Sequence, residues 1–206
     1  MELMEGPPEP SDWKLDGGRD QVVVLRNVSW EQYDAIDAAR GDASQPLLAY
    51  LDGELEIVTT SQHHEWLKKL LSRLIEAYAE ERGLRLDGFG HATLREEAKR
   101  AGIEPDEWYK TDARSEVPDL AIEIVLTSGG VDKLEIYRRF HVREVWFWVN
   151  GKIWVYHLVG RRYEARTESV VLPDIDFNGL ERMIGASDEE TDQTAAVRAY
   201  RESLKR

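Results

Sequence analysis

VPDLAIEIVLTSGGVDKLEIYRRF, Val117 to Phe140, is the stretch from which the fold can be read. Within it Leu120 to Leu126 form an apolar, β-branched run, LAIEIVL, bounded by Pro118 and by Ser128-Gly129-Gly130. Such a run is the pattern of a strand buried on both faces, as in the middle of an α/β sheet. Glu123 interrupts it. A carboxylate there costs several kcal/mol unless something pairs with it.

The helix that follows, Val131–Phe140, carries a second anomaly. At about 100° per residue, Lys133 projects with Ile136, Tyr137 and Phe140, on the stripe that faces inward, while Glu135, Arg138 and Arg139 point away. The glycine turn brings Lys133 back over the strand. Two ionisable residues on core-facing positions, joined by one turn, imply mutual pairing or a shared site. A buried ion pair without chemistry satisfies the same pattern.

Working outward, VVVL (Val22–Leu25) is a short strand, and SWEQYDAIDAAR (Ser29–Arg40) is a helix with a serine cap and a stop at Gly41. LLAYLDGELEIVTT is a hairpin turning at Asp52-Gly53. HHEWLKKLLSRLIEAYAEERG places Trp66, Leu67, Leu70, Leu71, Leu74, Ile75 and Tyr78 at helical spacing and ends at Gly83. This is the main core helix, with Lys68, Lys69 and Arg73 on its solvated side. Short strands are expected around Arg85–Asp87, Ala92–Arg95 and Glu104–Tyr109. After the buried strand and its helix, EVWFWV, KIWVYHLV and RRYEART form an antiparallel meander with turns at Asn150-Gly151 and Gly160. The pattern predicts an α/β domain over residues 21–186, with a poorly ordered Pro-, Gly- and acid-rich arm over residues 1–20 and a capped polar helix over residues 187–206.

Composition narrows the function. The 206 residues contain no cysteine, which excludes disulfides and thiolate metal sites and fits a cytoplasmic protein. No run is long enough to span a membrane, and the N-terminus lacks the basic start and apolar middle of a secretory signal. The net charge of -13 repels phosphate at long range and argues against a non-specific DNA coat. It leaves room for an enzyme whose acids hold divalent cations. HHEWLKK lacks the second histidine of a zinc-protease helix, GFGHAT lacks the third glycine of a dinucleotide loop, and no phosphate-binding GxxxxGK[ST] loop or GxSxG elbow occurs.

Asp119 shares a strand face with Glu123 but lies about 13 Å along it, at roughly 3.3 Å per residue, too far to share one ion easily. After Pro118 it also fits a turn residue. A partner carboxylate for Glu123 belongs on a neighbouring strand, and GIEPDEWYK supplies Asp106 through a short polar connection. Two hard carboxylate ligands suit Mg²⁺ or Mn²⁺.

EPDEWY followed by PDLAIEIVLTSGGVDKLEIYRRFHVREVWFW resembles the Uma-two family of restriction-endonuclease candidates, within the PD-(D/E)XK nuclease superfamily. YLDGELEIVTTSQHHEWLKKLLSRLIEAY resembles the N-terminal half of that family, and the resemblance runs from about Tyr33 to Ile184. It implies a restriction-endonuclease-like fold, a mixed central sheet flanked by helices. It also implies a cytoplasmic Mg²⁺- or Mn²⁺-dependent endonuclease acting on DNA, with Asp106 and Glu123 as metal ligands and Asp106, Glu123 and Lys133 as the catalytic set. The superfamily's lysine stands two residues after the acid, where this chain has Val125; Lys133 matches a lysine moved to the following helix. Glu54 and His64 match polar positions at the edge of the site, with Asp119 a further supporting candidate. Two alternatives stand beside this reading: a nuclease fold kept as a binding or assembly module, and a phosphodiesterase for a smaller or single-stranded substrate. The Trp-dense edge of the EVWFWV/KIWVYHLV meander suggests pairing into a homodimer.

Overall fold

The structure is a computed structural model and describes residues 20–89, 93–127 and 130–205. The expected arm, apart from Asp20, lies outside these residues, as do Ala92 and the Ser128-Gly129 part of the glycine turn. The described elements run β1 (Gln21–Arg26), α1 (Trp30–Arg40), β2 (Leu47–Leu51), β3 (Glu54–Thr59), α2 (Gln62–Arg82), β4 (Asp87–Phe89), β5 (Leu94–Glu96), β6 (Ala101–Ile103), β7 (Glu107–Lys110) and β8 (Leu120–Val125). They continue with α3 (Lys133–Arg139), β9 (Glu144–Val149), β10 (Lys152–Val159), β11 (Arg162–Arg166), α4 (Phe177–Gly185) and α5 (Gln193–Leu204).

Two sheets form. One has the order β1-β3-β2-β6-β5, the other β11-β10-β9-β8-β7-β4. The larger is the expected mixed sheet: β8 runs parallel to β9 and antiparallel to β7. A parallel pair requires a crossover, and α3 supplies it, which is why the helix carrying Lys133 lies over the strand carrying Glu123.

Strand β8 is buried on both faces as its composition requires. Leu120, Ile122 and Ile124 enter a core shared with α2, α4 and α5, and Ala121 enters a second core with Ile136, Tyr137 and Val145. By alternation Glu123 faces that second core, between α3 and the five-stranded sheet. Helix α2 forms because its apolar positions recur at helical spacing; Ser61 caps its start, accepting from His64 N, and Gly83 at φ 64° ends it. Lys68 departs from the expected solvated face: it is buried and paired with Glu65 at 2.6 Å.

The meander forms as expected, but its tryptophans do not sit on an edge. Strand β9 lies between β8 and β10, and β10 between β9 and β11. The outermost strand is the charged RYEAR, a composition that discourages edge pairing, so this edge is not the expected Trp-dense pairing surface. Helix α4 is an addition to the sequence reading. The short strands begin up to three residues later than expected, and β6 is a further addition. No helix among the described residues is long and apolar enough to cross a membrane.

Candidate active site

Register places the first two acids. Glu107 pairs with Ile122 across the antiparallel β7–β8 ladder, and continuing that ladder sets Asp106 opposite Glu123. Asp106 Oδ2 accepts from Ile124 N at 2.7 Å, which fixes the carboxylate against β8. Both side chains are buried. Lys133, on the first turn of α3, reaches down so that its Nζ donates to Glu123 Oε2 at 2.6 Å. The Tyr137 hydroxyl, one helical turn later, donates to Glu123 Oε1. Glu123 therefore has both oxygens engaged by α3.

His64 enters from the first turn of α2. Its Nε2 lies 3.0 Å from Asp106 Oδ1 and its Nδ1 2.8 Å from Asp20 Oδ2. Burial opposes charge on the ring, but Asp106 and Asp20 outweigh it and push the pKa up to about 10. Burial would also raise the pKa of Asp106, yet the facing imidazolium and Lys133 hold it below the usual carboxylate range. Glu123 goes the other way. Burial, with Asp106 adding to it, pushes its pKa up despite Lys133. Burial likewise opposes charge on Lys133, but Glu123, Glu56 and Asp106 prevail and keep it an ammonium.

Glu56 is the member that sequence reading missed. It projects from β3 of the other sheet, buried, and its Oε2 accepts from Gly130 N at 2.9 Å. Its Oε1 lies 3.8 Å from Lys133 Nζ. Glu54, two residues earlier, instead pairs with Arg26 at the exposed end of the strand, 3.1 Å away. Asp119 accepts from Thr111 N and Oγ1 at 2.7 and 2.8 Å, closing a turn. Neither borders the cavity into which Asp20, Glu56, His64, Asp106 and Lys133 face, whose volume is about 630 Å³.

Among the described residues, no three histidine or acidic side chains already converge on one point at metal-ligand spacing. The chemistry of the donors nonetheless fits a hard divalent cation. Four buried carboxyls, of Asp20, Glu56, Asp106 and Glu123, face two cations, Lys133 and His64. The excess of two negative charges is what such an ion neutralises, and a carboxylate that accepts two hydrogen bonds keeps further lone pairs for it.

A mixed sheet with a buried acid on its central strand, a second acid on the antiparallel neighbour and a lysine poised above them defines a restriction-endonuclease-like fold. Residues 30–182 match the Uma2 family model, described as "Putative restriction endonuclease", and the chain belongs to that family. A crystal structure described as "a putative nuclease belonging to DUF820", from Anabaena variabilis, has a similar fold. It superposes with a TM-score of 0.50 at 13% identity, covering 84% of this chain and 99% of that one. No curated protein matches.

Proposed function

We propose that this chain is an endonuclease that hydrolyses phosphodiester bonds in DNA, using Mg²⁺ or Mn²⁺ held by Asp106 and Glu123. The observation that carries this reading is the juxtaposition of those two acids across β7 and β8, with Lys133 against Glu123. Such a cation, when bound, lowers the pKa of water and neutralises charge on the phosphate.

The protein's own groups supply the rest. Lys133 is a fixed ammonium between Glu56 and Glu123, placed to orient water or to meet charge developing on a phosphate oxygen. Tyr137 holds the Glu123 carboxylate so that its remaining lone pairs keep one direction. His64 does the same for Asp106, with Asp20 behind it fixing the ring. An absence of cysteine is consistent with work in the cytoplasm.

Calorimetric titration of Mn²⁺ and Mg²⁺ into the wild type and Glu123→Gln, with plasmid nicking on the same samples, tests the proposal. Binding and nicking should both be lost in the variant. Metal binding without cleavage of any DNA would point to a binding module or a different phosphodiester. No metal binding at all would reduce Glu123 and Lys133 to a structural pair.

A further inference from the structure

Resting on the nuclease reading, we propose that the strand cut is unpaired: the site takes single-stranded DNA, or an unpaired stretch within a duplex, and excludes intact double helix.

The first observation is depth. Asp106 is 4% exposed, Glu123 1% and His64 2%, and Lys133 alone among the reacting groups has appreciable exposure. Of these, Asp106, His64 and Lys133 line the cavity, so a phosphate must enter it to approach them. In a duplex the phosphates are fixed on the outside of a stiff rod, which must be bent or kinked, at a cost in free energy, to bring one of them deep into a cavity. A single strand can present one nucleotide edgewise, and about 630 Å³ lies within the roughly 300–1,000 Å³ of pockets that enclose small ligands.

The second observation is the wall. Between and beside the acids the cavity lining includes Leu47, Val58, Val125, Val131 and Leu134, aliphatic side chains with nothing to offer a phosphate. They suit the flat apolar face of an unstacked base, which a paired base does not expose.

The third is the supply of cations. A duplex-binding protein neutralises on the order of 6–10 phosphates. Here Arg139 is held by Asp52 and Glu135, Arg138 by Glu135, and Lys68 by Glu65. At the cavity itself, Arg161 has no ion pair among the described residues, while neighbouring Arg162 is shared with Glu164. At the cavity that suffices for one or two phosphates of a strand led into the cleft, fewer than the roughly 6–10 that a duplex-binding surface neutralises.

Fluorescence anisotropy with a short single-stranded oligonucleotide and with the same sequence as a blunt duplex provides the test. It is run in Ca²⁺ and followed by Mn²⁺-driven cleavage of a duplex carrying an unpaired flap. The wild type should bind the single strand about tenfold or more tightly than the duplex and cut only in the flap. Leu134→Trp, which fills the cleft, and the exposed Arg161→Glu should each erase that preference while leaving calorimetric Mn²⁺ binding unchanged. Equal or tighter duplex binding, with cuts in paired DNA, would overturn this inference and leave the nuclease intact. A single-strand preference untouched by both variants would overturn it too, since the strand would then bind elsewhere. A preference erased by both variants, with no cleavage of any substrate, would support the binding site and remove the nuclease reading instead.

Discussion

Glu123 and Lys133 are hydrogen-bonded at 2.6 Å, yet they are not equivalent partners. Glu123 has Asp106 nearby and burial against it, and its pKa is raised; Lys133 has three carboxylates around it and is held charged. Deleting the lysine strands an excess of negative charge in a dry place. Deleting the glutamate's charge relieves part of that excess. In metal-free protein, Lys133→Met should therefore cost about 3 kcal/mol, and Glu123→Gln clearly less. Urea melts of both variants and of the double variant check this. A larger loss for Glu123→Gln would mean that the acids are not in excess. The pair is legible in sequence because both residues violate apolar patterns on elements whose period is unambiguous. Glu56 is not. In ELEIVT, Glu54 and Glu56 share one strand face, which alone is the pattern of a wetted face. Only tertiary packing reveals that a second sheet and α3 cover one of the two glutamates and leave the other at the rim.

At the scale of elements, the smaller sheet is what carries Glu56 to the site, and it depends on close packing by α1. Tyr33 of α1 stacks on Tyr50 of β2 with ring centroids 4.9 Å apart, and both rings are buried. Strand β6 passes directly beneath: a Cβ added at Gly102 would stand 2.5 Å from the Tyr33 hydroxyl oxygen. The ring cannot retreat, being wedged against Tyr50 and also Trp30. Gly102→Ala should thus destabilise the protein by about 1–3 kcal/mol through overpacking, read as a lower thermal midpoint. An unchanged midpoint would show the tyrosine stack to be loose. Elements with long periodic patterns, such as α2 and the meander, are readable from the amino-acid sequence by themselves. The three-residue strands β4, β5 and β6 are shifted or missed there because so short a run carries no period. Helix α4 escapes for a different reason: Asn178-Gly179 in its first turn is a turn signal, overridden here by Leu180 and Ile184 packing into the core.

Across the whole molecule, one chain of ionised groups joins parts distant in sequence. Asp20 stands before β1 of the smaller sheet, His64 on the first turn of α2, and Asp106 before β7 of the larger sheet, linked at 2.8 and 3.0 Å. The imidazolium is the link, so the clamp depends on pH. The His64 pKa rises from the ordinary 6.5 to about 10 on folding. A group whose pKa is raised by folding stabilises fully below its unfolded value and loses that contribution as pH rises through the folded one. In metal-free protein the contribution should be nearly complete at pH 6, decline steadily above about pH 7 and be lost as pH passes about 10, by a few kcal/mol in all. Asp20 and Asp106, both with lowered pKa, remain carboxylates throughout this range and gain nothing from the change. Lysines and tyrosines also titrate at the alkaline end, so the comparison must be internal. Chemical denaturation of the wild type and His64→Gln should give stabilities that lie furthest apart near pH 6 and converge towards pH 10. A gap that stays constant over that span would mean His64 is neutral in the folded protein. The excess negative charge around Lys133 would then be larger still, and the need for a divalent cation greater.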